Sequence, residues 1–202
     1  MILNRDFYER DPLIVANELL GKTLVHETTE GKTAGMIVET EAYMGPEDKA
    51  SHAFGNRRTK RTEPQFGPKG HAYVYLIYGM YHCFNVISGA SPGKPEAVLF
   101  RAIEPCEGIE FMVKRRPTAK CKIEKLANGP SKLCNAMDIT KKENGADLTV
   151  APFYIKDNGT IIPERNIVQA KRICVDYADE WKHKPWRFYI KDNRFVSRIE
   201  KE

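Results

Sequence analysis

Nine runs rich in β-branched and aromatic residues, few of them separated by helices, constrain this chain more than any other property. They cover 22–27, 35–43, 71–78, 81–88, 97–103, 147–155, 172–177, 186–191 and 195–199. Parallel sheets need a helical crossover between strands, whereas short turns such as Gly79-Met80 and Asp192-Asn193 join antiparallel neighbours. The expected class is therefore α+β: a curved, mainly antiparallel sheet flanked by short helices, with a protruding β-hairpin. One helix is expected after Asp11 and Pro12, with Leu13, Ala16, Leu19 and Leu20 on one face and Gly21 as its stop. Two more are expected over 105–115 and 130–137. With 202 residues, 42% of them hydrophobic, and no repeat or linker, the chain reads as a single domain over 1–202. Residues 45–70 form the longest irregular stretch, a natural place for function.

Several classes drop out. No apolar run approaches the ~18 residues of a membrane span, and the first residues, Met1-Ile2-Leu3-Asn4-Arg5-Asp6, carry no secretory pattern. A cytoplasmic monomer without membrane contact is expected. The five cysteines include no Cys-x-x-Cys pair and read as reduced, mostly buried thiols. Neither a metal nor any other cofactor is expected, and no P-loop, dinucleotide fingerprint or serine elbow occurs. The net charge of +5 suits a polyanionic partner. Arg57, Arg58, Lys60 and Arg61 form one basic cluster; Lys114, Arg115, Arg116, Lys120, Lys122 and Lys125 form another. Each could contact phosphates or be an ordinary solvated segment.

Strand periodicity puts Glu39, Glu41 and Tyr43 on one face, either as surface glutamates or as a carboxylate pair in which one member activates water. His52 could donate to a ligand or shuttle a proton. The segment 71–85 gathers four tyrosines around a turn, with Tyr73 and Tyr75 on one strand face and Tyr78, Met80 and Tyr81 crowding Gly79. That pattern fits core packing, or a wedge that fills the gap left by an extruded nucleotide. Arg101, inside an apolar run, needs an anionic partner such as Glu41 or a phosphate. The start of the helix at 130, beside Lys132, could hold an anion.

Together these blocks resemble the alkyladenine, or 3-methyladenine, DNA glycosylase family. The resemblance runs through 38–43 and 45–48, 73–81, 101–105, 129–133 and 185–189. It implies an enzyme that flips alkylated purines, with deaminated or etheno purines as further candidates, out of damaged double-stranded DNA and hydrolyses the N-glycosidic bond. By the resemblance, Glu41 is the general base, and Arg101 and the Val175 carbonyl hold the attacking water. Tyr43, His52 and Tyr75 wall the base pocket, and Asn85 guards its edge against guanine's exocyclic amine. Tyr78 is the wedge, flanked by Met80 and Tyr81, while Arg57, Arg58 and Lys132 meet the DNA backbone. No lysine in the matched catalytic blocks would form a Schiff base, so a monofunctional enzyme is expected. Asp176 stands where vertebrate members have a small residue, Phe84 where they have methionine. The long N-terminal extension of the vertebrate proteins is missing, which suggests a bacterial form acting at the nucleoid. A non-catalytic module for distorted duplexes and a nucleoside hydrolase are the competing readings.

Overall fold

The chain forms one sheet with helices packed on it, in a computed structural model that describes residues 1–119 and 122–199. Lys120 and Cys121, counted above among the basic cluster and the cysteines, lie outside the described residues. The strands are β1 (Thr23–Thr28), β2 (Gly31–Tyr43), β3 (Ala72–Ile77), β4 (Tyr81–Ser88), β5 (Glu96–Glu107), β6 (Phe153–Lys156), β7 (Ile167–Ala170) and β8 (Arg187–Ile190). Their order is β3-β4-β5-β2-β1-β6, with β8 on the second half of β2 and β7 on β8, and every pairing is antiparallel. The 13-residue β2 is the spine. Its first half pairs with β1 and its second with β8, while β5 follows it on the other side.

The helices are α1 (Arg5–Tyr8), α2 (Pro12–Glu18), α3 (Ile109–Arg115) and α4 (Pro130–Met137). Asp11 caps α2 as expected, its carboxylate accepting from the Leu13 amide at 2.7 Å. The chain leaves this helix through Gly21 at φ +85°, where a Cβ would meet Ile162 at 3.0 Å. On one sheet face, Val74, Phe84, Val86, Val98, Phe100 and Ala42 join Leu19, Leu133 and Met137 in the main core. Phe84 stacks on Phe100 with 4.6 Å between centroids. No helix among the described residues is long and apolar enough to cross a membrane.

Four expected elements differ, each because backbone groups find other partners. Residues 105–107 stay in β5 rather than opening a helix, and α3 starts only after Gly108, whose φ of +67° turns the chain where a Cβ would strike the Lys32 carbonyl. Of 147–155 only the last residues form a strand, since the Thr149 amide closes a turn on Asp147 and the Leu148 amide donates to the Gly70 carbonyl. The runs 172–177 and 195–199 are irregular, with Ile173 and Ser197 spending their amides on buried carboxylates. β7 was not anticipated. The cysteines also depart: Cys83 and Cys134 are buried thiols, but Cys106 and Cys174 are exposed.

Candidate active site

Directly opposed residues of an antiparallel sheet share a face, and the register lines up Tyr73, Asn85, Leu99, Glu41 and Arg187 across five strands. Their i±2 neighbours Tyr75, Cys83, Ala97 and Tyr43 extend the same surface. All of it but Glu41 and Arg187 forms the floor of a cleft of about 680 Å³, closed on one side by His52 and Ser51 and on the other by Ile173, Cys174 and Val175. Of the seven pocket and catalytic positions expected from the sequence, Glu41, Tyr43, Tyr75 and Asn85 lie in register on this sheet face, Arg101 sits on an adjoining bulge, and His52 and Val175 stand in the walls. Glu41 itself is fully buried and lies just behind the lining, while Tyr43, Arg101 and Ile173, which hold it, line the cleft.

Arg101 reaches this surface through an irregularity. Ile37 pairs with Ile103, but Glu39 pairs with Ala102 and Thr40 with Phe100, so Val38 and Arg101 have no opposite number. A bulge re-aims a side chain at little cost in overall register. Here it sets the guanidinium between two carboxylates, with Nε 3.0 Å from Glu39 Oε1 and Nη1 3.2 Å from Glu41 Oε1. Both glutamates are fully buried, so the surface alternative for that strand face does not hold. Burial works against the charge of Arg101, but Glu41 and Glu39 outweigh it and raise its pKa further.

The two carboxylates are held differently. Glu39 accepts from Arg101, from Arg187 at 3.1 Å and from the Ser197 amide at 2.7 Å. Glu41 Oε1 takes the Ile173 amide at 2.8 Å besides Arg101, whereas among the described residues Oε2 accepts only the Tyr43 hydroxyl at 2.9 Å. An ionised carboxylate has about four lone-pair directions, so Oε2 retains one that no donor among the described residues takes. Glu39 is a structural anchor; Glu41 can accept a proton from a small molecule. Burial and then the nearby Glu41 charge push the Tyr43 pKa well above its ordinary value, so Tyr43 remains a donor.

The base-sized part of the cleft is aromatic. The His52 ring stands edge-on to Tyr75 with 4.6 Å between centroids, and its Nδ1 lies 3.0 Å from the Tyr73 hydroxyl. Burial, with Arg61 beside it, lowers the His52 pKa to about 4, so the imidazole is neutral near pH 7. Asn85 is buried and donates to the Tyr73 carbonyl at 3.1 Å, which fixes its amide at the pocket edge. Val175 lies at the opposite wall, and its carbonyl accepts the Ala178 amide at 3.0 Å.

At the rim, Tyr78 (φ +53°) and Gly79 (φ +71°) form the tip of the β3–β4 hairpin. Tyr78 is 80% exposed and Met80 66%, with Tyr81 beside them. A tyrosine in left-handed backbone carries strain that its small buried area at best offsets, so the fold gains nothing net from it, which marks a side chain suited to a role outside the fold. Arg57 is exposed, while Arg58 is fastened to Glu63 by two bonds of 2.8 and 2.6 Å. Lys132 lines the cleft and donates to Asn128 at 2.8 Å; burial and then Arg116 and Lys125 lower its pKa.

Sequence reasoning missed the Arg172–Asp48 pair. Arg172 grips Asp48 with contacts of 2.5 and 2.9 Å, donates to the Ala42 carbonyl and covers the Tyr43 ring at 4.8 Å. It fixes the 172–178 segment against β2. Asp48 stood out only as part of the 45–48 block, with no partner assigned, and Arg172 sat in a run read as a strand. Tyr177, 65% exposed on the cleft rim, was hidden by the same misreading. Of the two departures from the vertebrate pattern, Phe84 lies on the core side of the sheet and Asp176 is exposed outside the cleft lining. No group of three potential metal ligands occurs among the described residues.

The family model for methylpurine-DNA glycosylase (MPG) matches residues 6–194. A protein of Clostridium acetobutylicum is 52% identical over 208 residues, covering 100% of both chains. One of Bacillus cytotoxicus is 50% identical across 95% of this chain and 97% of its own, and one of Desulfitobacterium hafniense 49% identical across 96% and 98%. All three are provisionally named 3-methyladenine DNA glycosylases.

Proposed function

We propose that this chain, which belongs to the methylpurine-DNA glycosylase family and is a DNA N-glycosylase, extrudes an alkylated purine from the duplex into the aromatic cleft and hydrolyses its glycosidic bond with Glu41 as general base. The observation that carries this reading is the buried Glu41 carboxylate, with one oxygen saturated by Ile173 and Arg101 and the other retaining a free acceptor direction beside Tyr43.

Methylation at N3 or N7 gives the purine a positive charge. The walls of Tyr43, His52 and Tyr75 suit it, since a cation over an aromatic face gains ~0.5–2 kcal/mol, and a neutral His52 adds no repulsion. The charged base leaves readily. As the C1′–N bond breaks, its electron pair neutralises the purine, water bonds to C1′, and the water's proton passes to Glu41. Arg101 and the Val175 carbonyl orient that water, and Asn85 sets a steric and hydrogen-bonding limit at the pocket edge. Tyr78, supported by Met80 and Tyr81, fills the vacated stack, an exchange that offsets an unstacking cost of a few kcal/mol. Arg57 and Lys132 hold phosphates, and Arg58 does so after exchanging Glu63. The enzyme is monofunctional, works as a monomer without a cofactor and finds its substrate on the chromosome in the bacterial cytoplasm.

The test is single-turnover release of 3-methyladenine from methylated duplex by the native protein and Glu41→Gln, with strand scission scored before and after alkali. Release that collapses in the variant while binding persists, with breaks only after alkali, supports the reading. Retained release in Glu41→Gln would sink the role of Glu41.

A further inference from the structure

Arg61 is the member of the 57–61 basic cluster that turns inward. Its guanidinium carbon lies 4.9 Å from the centroid of the Tyr75 ring, and Nη2 is 3.5 Å from His52 Nε2. Arg58 spends its charge on Glu63, but no ion pair holds Arg61 among the described residues. The side chain is exposed, and its position reflects the attraction of the Tyr75 face for a planar cation together with polar contacts to His52 and the Tyr73 hydroxyl. His52 already covers one edge of Tyr75. The face that Arg61 covers is a surface on which a flipped cationic purine would stack.

We propose that Arg61 is a specificity gate: in the free protein its guanidinium occupies the cation site on Tyr75, and it yields that site when a duplex offers it a phosphate instead. This inference rests on the reading of the cleft as a damaged-base pocket. A base presented on a duplex receives the open site together with a new phosphate contact. A free base has to displace the arginine with nothing in return. The gate thereby biases the pocket towards lesions in DNA and against released product.

Opposite effects of one substitution test this. The native protein, Arg61→Ala and Arg61→Lys are titrated with free 3-methyladenine and, separately, with a duplex carrying an abasic site over a range of salt. In Arg61→Ala the free base binds about two- to five-fold tighter, the equivalent of a surface cation–π contact of ~0.5–1 kcal/mol. The duplex binds more weakly, and the slope of log K against log salt flattens by about 0.9. Arg61→Lys keeps the salt slope and falls between the two in base affinity. Unchanged base affinity would reduce Arg61 to a plain phosphate contact, and weaker base affinity would make it a pocket wall; either overturns the gate. Proton NMR gives a second readout: the Arg61 δ-methylene signals are shifted upfield by the Tyr75 ring in the free protein and lose that shift on adding duplex, and a shift that survives duplex binding also overturns it. If the native protein releases no 3-methyladenine from methylated DNA, the reading of the cleft fails and takes the gate with it, an outcome distinct from intact release with unchanged base affinity.

Discussion

Replacing Tyr78 by asparagine separates what the hairpin tip does for folding from what it does for DNA. At φ +53° the native residue sits in the left-handed region, which costs a non-glycine residue roughly 1–2 kcal/mol and suits asparagine better. Against that stands the lost burial. Tyr78 is 80% exposed, so only a fifth of its surface is covered. Of the ~150–250 Å² an aromatic side chain can bury, that fraction is about 30–50 Å², or about 1 kcal/mol at ~25 cal/mol per Å². Relief of strain and loss of contact are of similar size and opposite sign, so urea unfolding is expected to place Tyr78→Asn within about 1 kcal/mol of the native protein. Binding behaves differently. A base stacked on an aromatic ring is worth ~1–3 kcal/mol, so the affinity for a lesion duplex, read by fluorescence anisotropy, should fall on the order of 5- to 150-fold. A loss of stability beyond about 2 kcal/mol would show that the tyrosine anchors the hairpin, and unchanged affinity would show that it is no wedge.

Glu39→Gln and Glu41→Gln should part company: removing the Glu39 charge leaves buried Arg187 without a carboxylate and takes one of two from Arg101, and is expected to cost ~3–5 kcal/mol in denaturant unfolding, whereas Glu41→Gln leaves Arg101 paired with Glu39, can still meet the Ile173 amide and the Tyr43 hydroxyl, and loses turnover with smaller damage. The folded pKa of His52, about 4, lies below its ordinary 6.5, so the unfolded chain takes up a proton that the folded chain refuses. Its contribution to stability is therefore intact above pH 6.5 and declines as pH falls from 6.5 towards 4, by at most about 1.4 kcal/mol per unit. His52→Gln should flatten stability against pH in that window, and an unchanged profile would refute the shift. Arg57→Ala should reduce the salt slope of duplex binding by about 0.9. Arg58→Ala should reduce it less, because Glu63 competes for that guanidinium; equal effects would show that the Arg58–Glu63 pair opens freely on DNA.

The sheet and most of the cleft floor were legible because alternation is local: Tyr73 and Tyr75, like Glu39, Glu41 and Tyr43, fall on one face by counting residues. The hairpin was legible from Gly79 and its flanking aromatics. Placing Arg101 beside both glutamates depends on the bulge, which periodicity alone does not announce. The errors at 172–177 and 195–199 share a cause. Ile173, Val175 and Val196 have strand-like side chains, yet the amides of Ile173 and Ser197 donate to Glu41 and Glu39. Propensity describes what a side chain tolerates, whereas a buried carboxylate decides where an amide goes. Arg172 was missed for the same reason, since its partner Asp48 lies 124 residues away.

The two amide contacts have a consequence for biosynthesis. Glu41 meets the Ile173 amide across 132 residues, and Glu39 meets the Ser197 amide across 158. At about 5–20 residues per second, a ribosome needs roughly seven to thirty seconds to progress from the acidic strand to the segment that completes it. For that interval the growing chain carries both carboxylates without those donors. Under the proposed role of Glu41, a chain ending before Ile173 lacks one of the donors that hold the base, so the site is completed only within the last quarter of the polypeptide, a form of timing written into its hydrogen bonds.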